Sequence, residues 1–219
     1  MTRLLHIDSS ASAEGSVSKA LAASFRKVWD AEQPDATVTY RDLGQDAVPH
    51  VDSDALASLV VPGEHQSERQ REARVLHDTL IDELLGADAL LISAPMYNWS
   101  IPSGLKAWID QTIIFGRTLF SPAAQGPLAG RPVTVALAYG GGYSPGAPQE
   151  AWNHADTYVR TVFQDALGME LTVVTAQLTL AGKTPGMESL VEMAEGSLKA
   201  AHTDIEEAAR KVSAGFALA

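Results

Sequence analysis

The chain has 219 residues, 46% of them apolar, and a formal net charge of −11 from 16 basic and 27 acidic residues. This length and composition predict one domain over residues 1–219, with a core that needs no cross-links. The absence of cysteine excludes thiolate catalysis, Cys-ligated zinc and iron–sulfur clusters, and the acidic charge argues against a nucleic-acid partner.

The first predicted element is a strand over residues 3–8. Further short apolar runs predict strands over residues 36–41, 88–94, 132–139 and 170–176. The third and fourth runs are almost continuously apolar, which is typical of parallel strands that are buried on both faces.

Apolar residues spaced three to four positions apart predict a helix after each strand, and we expect them to pack in the core. A further short helix is predicted over residues 53–60. The longer apolar faces are formed by Val17, Leu21, Phe25 and Val28; by Ala73, Leu76, Leu80 and Leu84; by Ile101, Leu105, Trp108, Ile109 and Ile113; by Trp152, Val159, Phe163 and Leu167; and by Leu190, Met193, Ile205 and Val212. This alternation predicts an α/β fold: one doubly wound parallel sheet with helices on both faces.

Ligands of doubly wound sheets bind beyond the carboxyl ends of the strands, where the strand order reverses. The segments after the first, third and fourth strands are DSSASAEGSVS (residues 8–18), APMYNWS (94–100) and YGGGYSPG (139–146). We therefore expect the functional residues in these three segments.

The first segment has five serines between a buried strand and the start of a helix. Serines at such a place commonly cap the helix. A helix N-terminus also carries partial positive charge, and hydroxyl groups add donors, so the same segment can bind a phosphate. The residues alone leave both functions open.

The other two segments have features that suit a flat ligand. Met96, Tyr97 and Trp99 place large side chains at the end of a strand, where an aromatic ligand can stack. Residues 140–142 are glycines, which let the backbone approach a ligand and donate N–H groups. A simple strand-ending turn and a flexible loop are the respective alternatives.

Other signals of function are weak. Gly182-Lys183-Thr184 resembles the end of a P-loop, but Gln177 occupies the position of the first glycine. The six histidines show no metal-ligand spacing, so we expect no metal site and place His6 in the core. The apolar runs are too short for a membrane span or a secretory signal, which predicts a cytoplasmic protein without membrane contact.

Several short motifs, taken in chain order, match one known family. They are the serine segment, Arg41-Asp42-Leu43, Pro95-Met96-Tyr97-Asn98, Leu105-Lys106, Gly116-Arg117-Thr118 and the glycine loop. On these motifs the sequence resembles, over essentially its whole length, the FMN-dependent NADH azoreductases, which also act as quinone reductases. The Pro-Met-Tyr-Asn run is the most specific of them.

The resemblance implies a flavodoxin-like fold with strand order 2-1-3-4-5 and a bound FMN. The implied FMN contacts are Ser10, Ser16, Val17 and Ser18 at the phosphate; Met96, Tyr97, Asn98 and Trp99 at the isoalloxazine ring; and Tyr139, Gly140, Gly141 and Gly142 over its pyrimidine end. Asn98 is the expected polar contact to the ring. We expect no catalytic side chain, because the cofactor performs the chemistry.

The resemblance also implies an enzyme that passes electrons from NADH or NADPH through flavin N5 to quinones and azo compounds. Two half-reactions, in a ping-pong order, and a homodimer are implied with it. An FMN electron carrier that does not oxidise NAD(P)H is the alternative, and a cofactor-free phosphate-binding module is another.

The sequence departs from the family's pattern at three places. The family commonly has Ser-Arg before its paired glycines, where this chain has Tyr139-Gly140. Leu119, followed by Phe120, stands where an aromatic residue is often found, and Tyr143 or Ser144 replaces a histidine that is frequent just past the glycines. All three departures bear on the redox tuning of the ring and on the pocket for the electron acceptor, so the resemblance does not fix the acceptor.

Overall fold

The fold is built on five parallel strands in the order β2-β1-β3-β4-β5, seen in a computed structural model that describes residues 1–121 and 125–217. The strands are β1 Arg3–Asp8, β2 Thr37–Asp42, β3 Ala89–Pro95, β4 Pro132–Ala138 and β5 Glu170–Ala176. Each predicted strand is present, and the strand order is the one that the resemblance implied.

Six helices accompany the sheet within the described residues. They are α1 Val17–Glu32, α2 Ser53–Val60, α3 Glu68–Gly86, α4 Ser103–Thr112, α5 His154–Val159 and α6 Val191–Ala217. A π-helical segment, Arg160–Ala166, continues α5, and a single 3₁₀ turn, Glu150–Trp152, precedes it.

The helices cover both faces of the sheet, as predicted. Successive strand residues alternate between the faces, so Leu4 and Leu91 pack with Phe25 and Ile205 of α1 and α6. The opposite face, with residues such as Leu5, Ile92 and Val135, packs against Leu84 of α3, Trp108 of α4 and Phe163 beyond α5. The sheet is thus the middle of three layers.

Two residues that were predicted in apolar helix faces lie outside the core. Trp152 is 50% exposed because it precedes Asn153, the residue that caps α5. Met193 is 64% exposed because it lies near the start of α6, ahead of Ala201, the first buried residue of that helix. Ile101 and Ile113 flank α4 rather than belong to it.

Among the described residues, none of the helices has both the length and the apolar character required to cross a bilayer.

Candidate functional site

The three predicted segments meet at one edge of the sheet. Asp8 at the end of β1 is in register with Ser93, and Pro95 of β3 is in register with Ala138 at the end of β4. The chain runs from β1 to β2 on one side and reaches β3 on the other, so this edge is where the strand order reverses. We call residues 9–18 the serine loop, residues 97–100 the aromatic turn and residues 140–142 the glycine loop.

One hydrogen bond joins the serine loop to the aromatic turn. The backbone N–H of Ala11 donates to the hydroxyl of Tyr97 at 3.2 Å. This bond links the two segments directly, and sequence reasoning had not predicted it.

Ser16 caps α1. Its side chain accepts a hydrogen bond from the backbone N–H of Lys19 at 3.4 Å. Its hydroxyl also lies 3.2 Å from that of Ser18, whose residue is fully buried. The capping function that the sequence left open is therefore present.

The start of α1 also keeps donors for an anion. The backbone N–H groups of Val17 and Ser18 donate to no acceptor in residues 1–121 and 125–217, as expected in the first turn of a helix. No acidic residue occupies this turn. Ser10, which is 2% exposed, accepts a hydrogen bond from the N–H of Ser12 at 3.3 Å. Capping and anion binding are thus compatible here.

A buried carboxylate lies at the end of β1, directly before the serine loop. Asp8 is 5% exposed and accepts hydrogen bonds from the hydroxyls of Ser93 at 2.6 Å and Tyr40 at 2.8 Å. The ring of His6, buried as predicted, lies 3.2 Å away. Burial acts to raise the pKa of Asp8, but the bonds and charge of His6, with those from Ser93 and Tyr40, hold it below its usual value.

Sequence reasoning missed this group, although its signal was readable. His6 and Asp8 are two positions apart on an apolar strand and so share one face. A pair of polar side chains on the buried face of a strand needs partners.

The aromatic turn is tight and uses unusual backbone angles. Tyr97 and Ser100 exchange two backbone hydrogen bonds of 2.9 and 3.1 Å. Between them Asn98 has φ 48° and Trp99 has φ 67°, which is costly for a tryptophan and common at functional sites. The turn leaves Tyr97 39% and Trp99 47% exposed, as a stacking surface requires.

The remaining residues of this segment also border open space. The Asn98 side chain is exposed and makes no hydrogen bond with the part of the chain that the structure describes. Met96 is half-buried against the core. The turn forms one wall of a cleft of about 380 Å³, whose other side includes Lys106 and Tyr158.

The glycine loop uses its carbonyls within the fold and leaves its N–H groups without partners among the described residues. The carbonyls of Gly140 and Gly141 accept hydrogen bonds from Leu180 and Leu178. The N–H groups of residues 140–142 have no acceptor within the described ranges. A Cβ added at Gly140 would lie 2.7 Å from the end of the Leu180 side chain, so a larger residue there would displace that side chain.

Tyr139 differs from the other residues predicted at this loop. Its side chain is 2% exposed and packs in the core, and its N–H donates to the carbonyl of Ala176 at 2.8 Å. Burial raises its pKa to about 12. The structure therefore places Tyr139 beneath the glycine loop as a support, because it continues the buried strand β4.

The donor set fits FMN. Free N–H groups at the start of α1 suit a phosphate, exposed aromatic side chains suit a flat ring, and the N–H groups of the glycine loop suit ring carbonyl oxygens. Ten of the twelve predicted contacts belong to these three segments, Met96 directly precedes the aromatic turn, and Tyr139 lies just beneath the glycine loop. The described residues contain no group of three or more His, Asp or Glu side chains placed to hold a metal ion.

The comparisons with known proteins agree with this geometry. A family model described as a flavodoxin-like fold matches residues 2–211. An FMN-dependent NADH:quinone oxidoreductase from Streptomyces avermitilis is 43% identical over 219 residues, which is 99% of this chain and 100% of that protein.

Two solved structures from Bacillus anthracis share the fold. An FMN-dependent NADH-azoreductase in complex with FMN matches with a TM-score of 0.82 at 22% identity, over 97% of this chain and 100% of that chain. An azoreductase matches with a TM-score of 0.81 at 25% identity, over 96% and 100%. The chain belongs to the flavodoxin-like family that includes the FMN-dependent NADH:quinone oxidoreductases.

Proposed function

We propose that this protein is an FMN-dependent enzyme that uses NADH to reduce quinones and azo compounds. The names of the Streptomyces avermitilis and Bacillus anthracis proteins support both the cofactor and the kinds of substrate. The observation that carries the proposal is the meeting of three kinds of group at one edge of the sheet. They are the N–H groups of Val17 and Ser18, the exposed aromatic turn and the N–H groups of the glycine loop, and neither set of N–H groups has an acceptor among the residues that the structure describes.

In this proposal the serine loop holds the phosphate of FMN. The N–H groups of Val17 and Ser18 donate to it, together with the hydroxyls of Ser10 and Ser16. The Ser18 hydroxyl lies 3.2 Å from that of Ser16, so it orients the Ser16 hydroxyl. Hydrogen bonds from backbone and hydroxyl groups at a helix N-terminus are a common way to bind phosphate without a cationic side chain.

The aromatic turn and the glycine loop hold the ring. Met96 to Trp99 provide its stacking surface, with the Asn98 amide as the polar contact, and the glycine N–H groups favour negative charge on the pyrimidine end. When bound, FMN supplies two-electron chemistry, in which a hydride from NADH or NADPH enters at N5 and electrons leave to the acceptor in a separate, ping-pong step. The chain positions the reactants and needs no catalytic side chain. A homodimer is part of the proposal.

Steady-state kinetics of the FMN-loaded protein test this function. With NADH and a soluble quinone we expect turnover and parallel double-reciprocal lines, as a ping-pong order requires. Comparing NADPH under the same conditions measures the nicotinamide preference, and size-exclusion chromatography with light scattering measures the homodimer.

Two outcomes would contradict the proposal. A yellow, FMN-loaded protein that leaves NADH unoxidised with every acceptor would indicate an electron carrier. A colourless protein that takes up no FMN on titration would indicate a cofactor-free binding module.

A further inference from the structure

Two tryptophans form an exposed pair beside the proposed site. The rings of Trp99 and Trp152 have centroids 5.8 Å apart and planes at 84° to each other. Trp99 is 47% exposed and Trp152 is 50% exposed. Tryptophan side chains are usually well buried because they carry a large apolar area. An exposed pair in contact is therefore a candidate binding surface.

The backbone holds this pair in place from both sides. Trp99 is fixed by the aromatic turn at φ 67°, and its carbonyl accepts a hydrogen bond from the N–H of His154 at 3.0 Å. Trp152 closes the 3₁₀ turn Glu150–Trp152, with its N–H donated to Gln149. The pair is therefore built into two ordered turns.

The perpendicular planes make a corner with a defined shape. A planar ligand can lie flat on the face of one ring while its edge meets the other. Edge-to-face contacts are favourable for aromatic rings at centroid distances of about 4.5–7 Å. The corner thus suits a rigid, flat, conjugated molecule.

The position of the corner relative to the proposed cofactor indicates which molecules benefit. Trp99 is one of the proposed FMN contacts, whereas Trp152 is not. The Trp152 ring centroid lies 5.8 Å from that of Trp99, which is about one ring spacing. An acceptor that covers Trp99 must therefore extend by about one further ring to contact Trp152 as well.

We propose that Trp99 and Trp152 form an acceptor subsite that selects extended planar acceptors, such as two-ring quinones or diaryl azo compounds, over single-ring quinones. This inference rests on the proposed function and adds a specificity-determining residue, Trp152. Trp99 contributes the first face and Trp152 the second.

Replacing Trp152 tests the subsite through the ratio of two specificity constants. For Trp152→Ala we expect kcat/KM for menadione, which has two fused rings, to fall about tenfold, the loss of one aromatic contact. The constant for 1,4-benzoquinone should stay within about twofold. Trp152→Phe keeps an aromatic face and should retain most of the preference. Val75→Ala, which removes an exposed apolar side chain on α3, should change neither constant.

Equilibrium binding provides a readout that does not depend on turnover. The oxidised, FMN-loaded protein without NADH should bind menadione, with a Kd about tenfold higher in Trp152→Ala. An equal fall in kcat/KM for both quinones in Trp152→Ala would contradict the proposed subsite. An unchanged Kd for menadione in this variant would contradict it as well. If wild-type protein oxidises no NADH, the proposed function fails, but the binding comparison still decides the role of Trp152.

Discussion

Gly44 shows how a single residue outside the predicted segments supports the site. It lies between β2 and α2, and its N–H donates to the carboxylate of Asp42 at 3.0 Å. A Cβ added there would overlap the Ser10 carbonyl group, lying 2.8 Å from its carbon atom and 3.1 Å from the Cα of Ala11. The backbone of the serine loop therefore rests directly on this glycine.

We expect Gly44→Ala to weaken FMN binding at least about tenfold, because the serine loop must move to admit the methyl group. Fluorescence titration of the apoprotein with FMN measures this change. Gly63→Ala is the matched control, since no atom lies within 4 Å of the added Cβ at that position. Equal affinity in the two variants would show that the serine loop does not hold the cofactor.

Gly44 and Asp8 also show what the sequence does not reveal at the residue scale. The serines, the aromatic residues and the glycines could be predicted because their residue types suit a ligand. Gly44 is a single glycine in a long connection. It is needed because the backbone of Ser10, 34 positions earlier in the chain, packs against it. Tyr139 was predicted at the rim, but the end of β4 buries it, and one residue decides which face of a strand a side chain occupies.

The two capped helices α1 and α3 offer a comparison at the scale of elements. Ser16 caps α1 beside the proposed phosphate position. Ser67 caps α3, where its side chain and that of Gln70 form a reciprocal capping box. Both serines thus cap the N-terminus of a helix, but only Ser16 belongs to the serine loop.

Alanine at each cap separates stability from cofactor binding. Ser16→Ala and Ser67→Ala should each lower the free energy of unfolding by about 1 kcal/mol, as urea denaturation of the apoprotein measures. Only Ser16→Ala should also weaken FMN binding, by about tenfold or more, since it removes a proposed phosphate donor. If both variants retain FMN equally well, Ser16 is a cap and nothing else.

The strands were the most predictable elements, and the reason is physical. β3 and β4 are buried on both faces, so their runs are almost purely apolar and end at turn-forming residues. The start of α5 was predicted too early because Trp152 matches the helical spacing, although the helix begins at His154 after its cap Asn153. The π-helical segment Arg160–Ala166 has no signal in apolar spacing, since Val159 and Phe163 fit an α-helix equally well.

At the scale of the whole molecule, the proposed phosphate site lies in a protein with a formal charge of −11. Residues 9–18 contain no lysine or arginine. Lys19, the first cation after them, is held by the carboxylate of Asp42 at 2.6 Å. The proposed phosphate site therefore consists of neutral donors, in a protein whose net negative charge repels the phosphate.

We expect FMN affinity to stay constant or to rise when NaCl increases from about 20 to about 300 mM, because salt screens the repulsion between the protein and the phosphate. Riboflavin, which lacks the phosphate, should show no such trend. Isothermal titration calorimetry at several salt concentrations makes the comparison. A severalfold loss of FMN affinity over this range would instead indicate binding by lysine or arginine.

The fold as a whole followed from the alternation of strands and helices, whereas the strand order came from the resemblance to a family. Alternation predicts a parallel sheet because each crossover needs a helix. It does not say on which side of β1 the next strand is added. That choice places the carboxyl ends of β1, β3 and β4 together, and so it creates the site.

The hydrogen bond between Ala11 and Tyr97 has a consequence for how FMN is distinguished from its fragments. It links the proposed phosphate and ring subsites, so we expect a molecule that joins both groups by a linker of matching length to bind both as one event. Inorganic phosphate and riboflavin, supplied together, each lose their own translational and rotational freedom on binding. Because they are not linked, binding of one does not raise the effective concentration of the other. We therefore expect the linked loops to favour an intact nucleotide over either of its ends.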